Sequence, residues 1–242
     1  MSLEERLERE RLHGLEILRT KESNWGWNTP AGRIRWRRRL DYLATAIENR
    51  DGEVLEIGAG TGTFTVGLAA VYSHLTAIDI SPDLLRVAAD KAPTVTFQCA
   101  DAHELPFAES TFDAVVGCSV LHHLEWERAL KSFFRVLKPG GALRFSEPNL
   151  LNPQIFLQKN VPALKRALGD SPDEYAFTSG RIRRDLEAAG FTSINVRPYE
   201  FLHPSTPVAL IDLVQRLEAL LDRVPLRVFG GSLLIEAKRA NA

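Results

Sequence analysis

Apolar residues recur along this chain with two different periods, and the alternation between them sets the expected architecture. Short apolar runs fall near residues 53–58, 75–79, 94–99, 112–118 and 141–147, each the length of a buried strand. Between them, stretches near 63–73, 82–91 and 125–137 carry apolar residues at helical spacing. Strands alternating with helices in this way predict a parallel sheet with helices on both faces.

The flanks follow other patterns. Leu3, Leu7, Leu12, Leu15 and Leu18 are set among dense charge, which predicts an amphipathic N-terminal helix over 3–21. Residues 24–32 read as a loop, and Trp36, Leu40, Leu43 and Ile47 mark a second helix. After Glu147 the alternation breaks, and 150–179 is rich in Pro, Asn and Asp. A helix resumes at Arg181–Ala189, closed by Gly190, followed by a strand over Phe191–Pro198. Val208, Ile211, Val214, Leu217 and Leu221 predict another helix, and Ser232–Lys238 a last strand. The expected organisation is therefore N-terminal helices over 1–49, a core over 50–149, an insertion over 150–180, and a remainder over 181–242. That remainder holds a helical insertion at 200–228.

Composition narrows the class without deciding it. A chain of 242 residues can bury a full core with appendages, and its net charge of −1 steers nothing to nucleic acid. No apolar run approaches the ~20 residues needed to span a bilayer. The N-terminus is charged from Glu4 onward, so no secretory signal is visible and a cytoplasmic location is expected. Cys99 and Cys118, the two cysteines, are expected as buried free thiols.

The chemistry is written in Val54-Leu55-Glu56-Ile57-Gly58-Ala59-Gly60-Thr61-Gly62. A strand runs into a turn with glycine at every second position, where backbone N–H groups can approach a ligand unobstructed by Cβ atoms. The following helix points its N-terminus at the same place. The next strand ends in Asp79, where a carboxylate can grip both hydroxyls of a ribose. Strand, glycine turn, helix, strand and acid together make a nucleoside-cofactor site. A dinucleotide site requires its third glycine where Thr63 stands, and Glu56 would be an odd neighbour for a pyrophosphate. A carboxylate there suits a cofactor with positive charge.

The pattern E-x-G-x-G-x-G over Glu56–Gly62 resembles motif I of the class I S-adenosylmethionine-dependent methyltransferases, and further motifs follow in that family's order over roughly 50–148. The resemblance implies a Rossmann-like, doubly wound α/β fold with a seven-stranded mixed sheet, order 3-2-1-4-5-7-6, and helical cap segments. It implies S-adenosylmethionine as cofactor, leaving as S-adenosylhomocysteine. Gly58, Ala59, Gly60 and Gly62 would form the cofactor turn with Glu56 before it, and Asp79 with Ile80 would hold the ribose. Asp101 and Ala102 match the segment that closes over the adenine, with His103 beside them expected to be exposed. Phe112–Leu124 is similar to the family's fourth strand and the turn after it, which would put Cys118 and Ser119 beside the methionine moiety.

Methyl transfer is an in-line displacement for which alignment in a dry pocket does most of the work. A base is needed only for a protonated nucleophile, and His122 and His123, on the turn facing the methyl, are the candidates. Glu147, Asn149 and Tyr175 are candidate substrate contacts, and Trp25, Trp27, Phe177 and His203 lie in segments placed to cap the pocket. Arg33, Arg35, Arg37, Arg38 and Arg39 crowd one helix, and most are expected to face solvent. No metal site is expected. The reading is methylation of a small molecule, with oxygen favoured as acceptor atom. Alternatives are a nucleic-acid or protein methyltransferase, a silent cofactor-binding protein and a nicotinamide-dependent oxidoreductase. Neutral charge and the absence of an Asn-Pro-Pro-Tyr signature weigh against nucleic acid, and Thr63 weighs against nicotinamide.

Overall fold

A computed structural model describes residues 26–241 except 169–173 and 222–223, together with eight scattered residues of the first 25. The expected helix over 3–21 falls largely outside the described residues, as does Trp25. Seven strands form one sheet: β1 (Glu53–Ile57), β2 (His74–Asp79), β3 (Thr96–Cys99), β4 (Phe112–Cys118), β5 (Leu137–Pro148), β6 (Phe191–Tyr199) and β7 (Ser232–Arg239). Their order is β3-β2-β1-β4-β5-β7-β6, as expected. β1 to β5 run parallel, and β7 inserts antiparallel between β5 and β6.

Among the described residues, eight α-helices beyond the N-terminal segment accompany them: α1 (Pro30–Leu43), α2 (Thr65–Ala69), α3 (Pro82–Lys91), α4 (Trp126–Val136), α5 (Pro153–Asn160), α6 (Pro162–Ala167), α7 (Ser179–Ala188) and α8 (Val208–Leu221). Period-two alternation divides the strands between two cores. Leu55, Ile57 and Val115 face one way, where Trp126, Phe133, Phe177 and Ile182 cover them. Val54, Ala114 and Val116 face the other way, under Leu40 and Leu43 of α1 and Leu68 of α2. Parity places Glu56 on this second face.

Three local readings are revised. The helix expected over 63–73 is a single short piece, Thr65–Ala69, because residues 61–64 are spent in turns. Strand β5 begins at Leu137 rather than near 141. Phe112 already pairs with Leu137 before the register shifts so that Ala114 pairs with Ala142. Pro139-Gly140-Gly141 is thus an irregularity inside a strand, with Gly140 at φ +75°. Cys99 is exposed, not buried, because the edge strand β3 has no neighbour on its outer side.

Candidate active site

The strand order reverses direction at β1, whose neighbours are β2 and β4, and ligands bind outside the strand ends at such a point. A cavity of about 730 Å³ opens there, lined by the ends of β1, β2 and β4 and by residues of α1, α5 and the loop after β6. Gly58, Gly60 and Gly62 all adopt positive φ, and they serve two purposes. A Cβ on Gly58 would meet Val120 Cγ2 at 2.4 Å, and one on Gly62 would meet Ala88 Cα at 3.1 Å. Those two glycines allow close packing of the turn against the protein. Gly60 lines the cavity and a Cβ there would find nothing within 4 Å, so its open side belongs to a ligand. Ala59 lines the cavity too.

Asp79 ends β2 at the cavity wall. Its Oδ2 accepts the Gly60 N–H at 2.9 Å and its Oδ1 the Ser81 N–H at 2.9 Å, while Ser81 caps α3. Burial raises the carboxyl's pKa, opposed by those two N–H groups. Ile80 follows it on the wall. Glu56 does not reach the cavity; it lies behind the glycine turn, 3 % exposed. Burial pushes its carboxyl up to about 7, and its Oε2 meets no donor among the described residues.

Asp101 and Ala102 line the far wall. His103, expected exposed, is buried: its Nδ1 lies 2.5 Å from Asp101 Oδ1, and its Nε2 accepts the Glu125 N–H at 2.8 Å. The second bond requires the proton on Nδ1, so His103 donates to Asp101. Against the effect of burial, these bonds hold the Asp101 carboxyl below its usual range. The sequence carries no signal for this pairing beyond the two-residue spacing.

On the opposite side β4 ends at Cys118 and Ser119, both on the cavity wall, with Ser119 at φ +55°. A 3₁₀ turn over Leu121–His123 follows and brings both histidines to the cavity. Glu147, 1 % exposed, organises this turn from β5. Its Oε1 accepts the N–H groups of Val120 and Leu121 at 2.9 Å, and its Oε2 lies 2.7 Å from His122 Nδ1. A carboxylate already accepting twice fixes the proton on Nδ1 and leaves Nε2 as an acceptor. Burial and the adjacent His123 lower the His122 pKa, so the neutral ring prevails at neutral pH. Glu174 completes the cluster, 3.8 Å from His122 Nε2 and 3.9 Å from His123 Nδ1, with Lys159 Nζ 2.6 Å from its Oε2. Despite burial, the two histidines and Lys159 hold that carboxyl well below the usual range. The ligand-type atoms of His122, His123 and Glu174 lie within 4.8 Å of one another, and the Lys159 ammonium supplies the positive charge there.

The three expected substrate contacts lie off the cavity wall. Glu147 is occupied with the turn behind it. Asn149 is buried, its amide donating to the carbonyls of Val228 and Gly230. Tyr175 donates to the Leu124 carbonyl and packs edge-on against Phe177, which is itself core. Trp27 and His203 do line the cavity. Glu174 and Lys159 were not foreseen, since nothing in a Pro- and Asp-rich segment marks a carboxylate that will meet a histidine some fifty residues earlier.

The arginine-rich helix also departs from expectation. Arg39 is 2 % exposed, and its Nη2 lies 2.6 Å from Glu200 Oε2. Arg35 meets the same carboxylate at 2.9 Å, and Arg38 meets Glu218 at 2.9 Å. Three of the five arginines therefore turn inward, because α1 packs against the loop after β6 and against α8, which bring two carboxylates to it.

Fold and site together define a Rossmann-like enzyme for a nucleoside cofactor. A family profile described as a methyltransferase domain matches residues 55–145. The demethylmenaquinone methyltransferase of Paenarthrobacter aurescens is 32 % identical over 67 % of this chain and 70 % of its own length. That of Corynebacterium urealyticum is 33 % identical over 67 % of this chain and 74 % of its own. The chain belongs to the class I S-adenosylmethionine-dependent methyltransferases, and its cofactor is S-adenosylmethionine. The fold recurs in a Thermotoga maritima protein described as a possible histamine N-methyltransferase. That match has a TM-score of 0.70 at 20 % identity and covers 94 % of this chain and 98 % of that one. It recurs also in the N-methyltransferase NodS of Bradyrhizobium japonicum in complex with S-adenosylhomocysteine, at a TM-score of 0.58 and 20 % identity, covering 87 % of this chain and 88 % of that one. Two features here fit that cofactor: the open side of Gly60 admits it to the backbone, and the orphaned Glu56 oxygen suits its positive charge.

Proposed function

We propose that the enzyme methylates a small molecule carrying a phenolic or enolic hydroxyl, and that His122 takes the proton of that hydroxyl. One observation carries the reading: a buried, neutral imidazole that lines the cavity, its Nδ1 fixed on Glu147 and its Nε2 3.8 Å from Glu174. Bound S-adenosylmethionine supplies an electrophilic methyl group on a sulfonium sulfur. The chain's own groups do the rest. The Gly58–Gly60 turn, Asp79, Ile80, Asp101 and Ala102 hold the cofactor, with Cys118 and Ser119 along its methionine end. Glu147 orients His122, and the imidazolium formed on proton uptake is stabilised by Glu147 and Glu174. Trp27 and His203 close the acceptor side and exclude water.

A cavity of about 730 Å³ shared by cofactor and acceptor suits a small molecule, and the relatives act on demethylmenaquinone, a small molecule. Removing the proton of an aromatic hydroxyl makes both the oxygen and the conjugated ring carbon nucleophilic; oxygen is the favoured site. Two free thiols, Cys99 and Cys118, suit the cytoplasm.

The test is transfer of labelled methyl from S-adenosylmethionine to a panel of phenols, enols and amines. His122→Ala should lower kcat by about 10²–10⁴-fold on a hydroxyl acceptor while S-adenosylhomocysteine affinity stays unchanged. With the wild type, kcat/KM should rise with pH as His122 deprotonates, through a pKa below 6.5, and then level off. Methylation of amines alone, with His122→Ala fully active, would overturn the reading.

A further inference from the structure

The segment between β3 and β4 forms neither strand nor helix, yet α4 fixes it at several points. Leu105 donates its N–H to Ser132 Oγ at 3.0 Å, and the Arg135 guanidinium donates to the carbonyls of Leu105 and Phe107 at 2.6 Å each. His103 adds a further tie, because its Nε2 accepts the N–H of Glu125, the residue that leads into α4. Behind these ties α4 is core, with Trp126, Ala129, Leu130 and Phe133 all buried. A connection held in this way gives up the mobility that segments of its kind usually keep.

His103 spends its two ring nitrogens in opposite directions. Nε2 accepts from the α4 side, so the proton stands on Nδ1, 2.5 Å from Asp101 Oδ1. The backbone N–H of His103 donates to the same Oδ1 at 2.9 Å. Most residues at this position could make the backbone bond, whereas the ring bond needs a side-chain donor that reaches back. Both bonds fall on one carboxylate oxygen, and Oδ2 takes none among the described residues. The Asp101 side chain lines the cavity at 23 % exposure, against 1 % for the ring behind it. A carboxylate clamped by one oxygen keeps its direction, and while ionised it offers a ligand acceptors and no donor.

We propose that His103 is a positioning residue that selects the purine of the cofactor: by clamping Asp101 it presents a fixed acceptor, which takes a base bearing an amino group and rejects one bearing an oxo group. The proposal rests on the seat of adenine at Asp101 proposed above. An exocyclic amine donates to the carboxylate. An oxo group in the same place sets acceptor against acceptor and leaves the carboxylate unpaired. Hypoxanthine gains a ring N–H beside its oxo group, and a carboxylate free to turn could follow it. A clamped one cannot, so the discrimination belongs to the clamp and not to Asp101 alone.

The experiment is calorimetric titration of the full chain with S-adenosylhomocysteine and with S-inosylhomocysteine, in which hypoxanthine replaces adenine. Wild type should favour the first by roughly 10–100-fold, the worth of one hydrogen bond to a charged group. In His103→Ala the ratio should fall to near unity, as it should in Asp101→Ala. His103→Phe, which keeps a ring and removes both nitrogens, should behave like His103→Ala and serves if the smaller side chain does not fold. Combining His103→Ala with Asp101→Ala should cost no more selectivity than Asp101→Ala alone, because the imidazole acts through the carboxylate. His103→Asn, whose Nδ2 takes the place of Nδ1, should restore most of the preference. Circular dichroism shows which variants are folded. A role in packing alone would weaken both ligands equally and leave the ratio unchanged. That outcome in a folded His103 variant, with the ratio collapsed in Asp101→Ala, overturns the proposal and leaves the adenine seat standing. A ratio unchanged in Asp101→Ala removes both.

Discussion

Glu56 sits one residue-layer behind the cofactor turn, buried, with a carboxyl pushed up to about 7 and one oxygen without a donor. Such a group is close to half-ionised at neutral pH and responds to any positive charge brought near it. Binding a ligand with an ammonium group should lower its pKa and release a proton. Calorimetric titration with S-adenosylhomocysteine near pH 7 should then give enthalpies that change with the ionisation enthalpy of the buffer. In Glu56→Gln that dependence should vanish; a dependence surviving in the variant would assign the proton elsewhere. Because this carboxyl binds its proton more tightly folded than unfolded, stability of the free enzyme falls as pH rises from about 4.5 to 7 through this group. At this scale the sequence was legible where chemistry is local. Gly60 and Asp79 lie within one strand–turn–strand unit and their bond is implicit in its geometry. Glu174 against His122, or His103 turned inward to Asp101 and Glu125, depends on segments folding back upon each other, and no local pattern records it.

At the level of elements, α1 is fastened less by its weakly amphipathic face than by ions. Arg35 and Arg39 share Glu200, a buried residue in left-handed conformation at φ +69°, and Arg38 joins Glu218, whose Oε1 also accepts the N–H groups of Phe201 and Leu202. Removing one partner of a buried ion pair strands the others, at a cost of about 3–5 kcal/mol. Glu200→Gln should therefore lower unfolding free energy by an amount of that order in urea titrations at neutral pH. Against burial, the two arginines hold the Glu200 carboxyl below 4.5. Its contribution is thus complete above about 4.5 and is lost as pH falls through the folded value, so wild type and variant should converge in acid. A constant difference across that range would mean that packing, not charge, is what the glutamate contributes. Strand identities were readable from apolar period, including the two strands beyond the core, whereas α5 and α6 lie in a segment whose Pro, Asn and Asp content showed only an insertion. The inward arginines were not, since their counter-charges lie more than 160 residues downstream.

For the molecule as a whole, the sheet order and the cofactor followed from motif order, whereas the acceptor side had to be seen folded. The family profile ends at residue 145, and the elements that shape the acceptor side of the cavity lie mostly beyond it or before it. Ligand linkage should act on the entire unit, since the cavity is bounded by strands from the middle of the sheet. S-adenosylhomocysteine at ~100 times its Kd should add about 2.7 kcal/mol, which for a chain of this size raises Tm by roughly 5–10 °C. A shift of that size with S-adenosylhomocysteine and none with NADH is the expected outcome of a thermal melt; the reverse would break the cofactor assignment. One tripeptide joins the two halves of the enzyme. Glu147 holds the turn that carries His122, Pro148 accepts the Phe177 N–H, and Asn149 grips the carbonyls of Val228 and Gly230. In the currency of descent, Glu147-Pro148-Asn149 is a keel. The segments on the acceptor side can be rewritten for new substrates as long as they keep their footing on it, and the turn that carries His122 stays in place while they change.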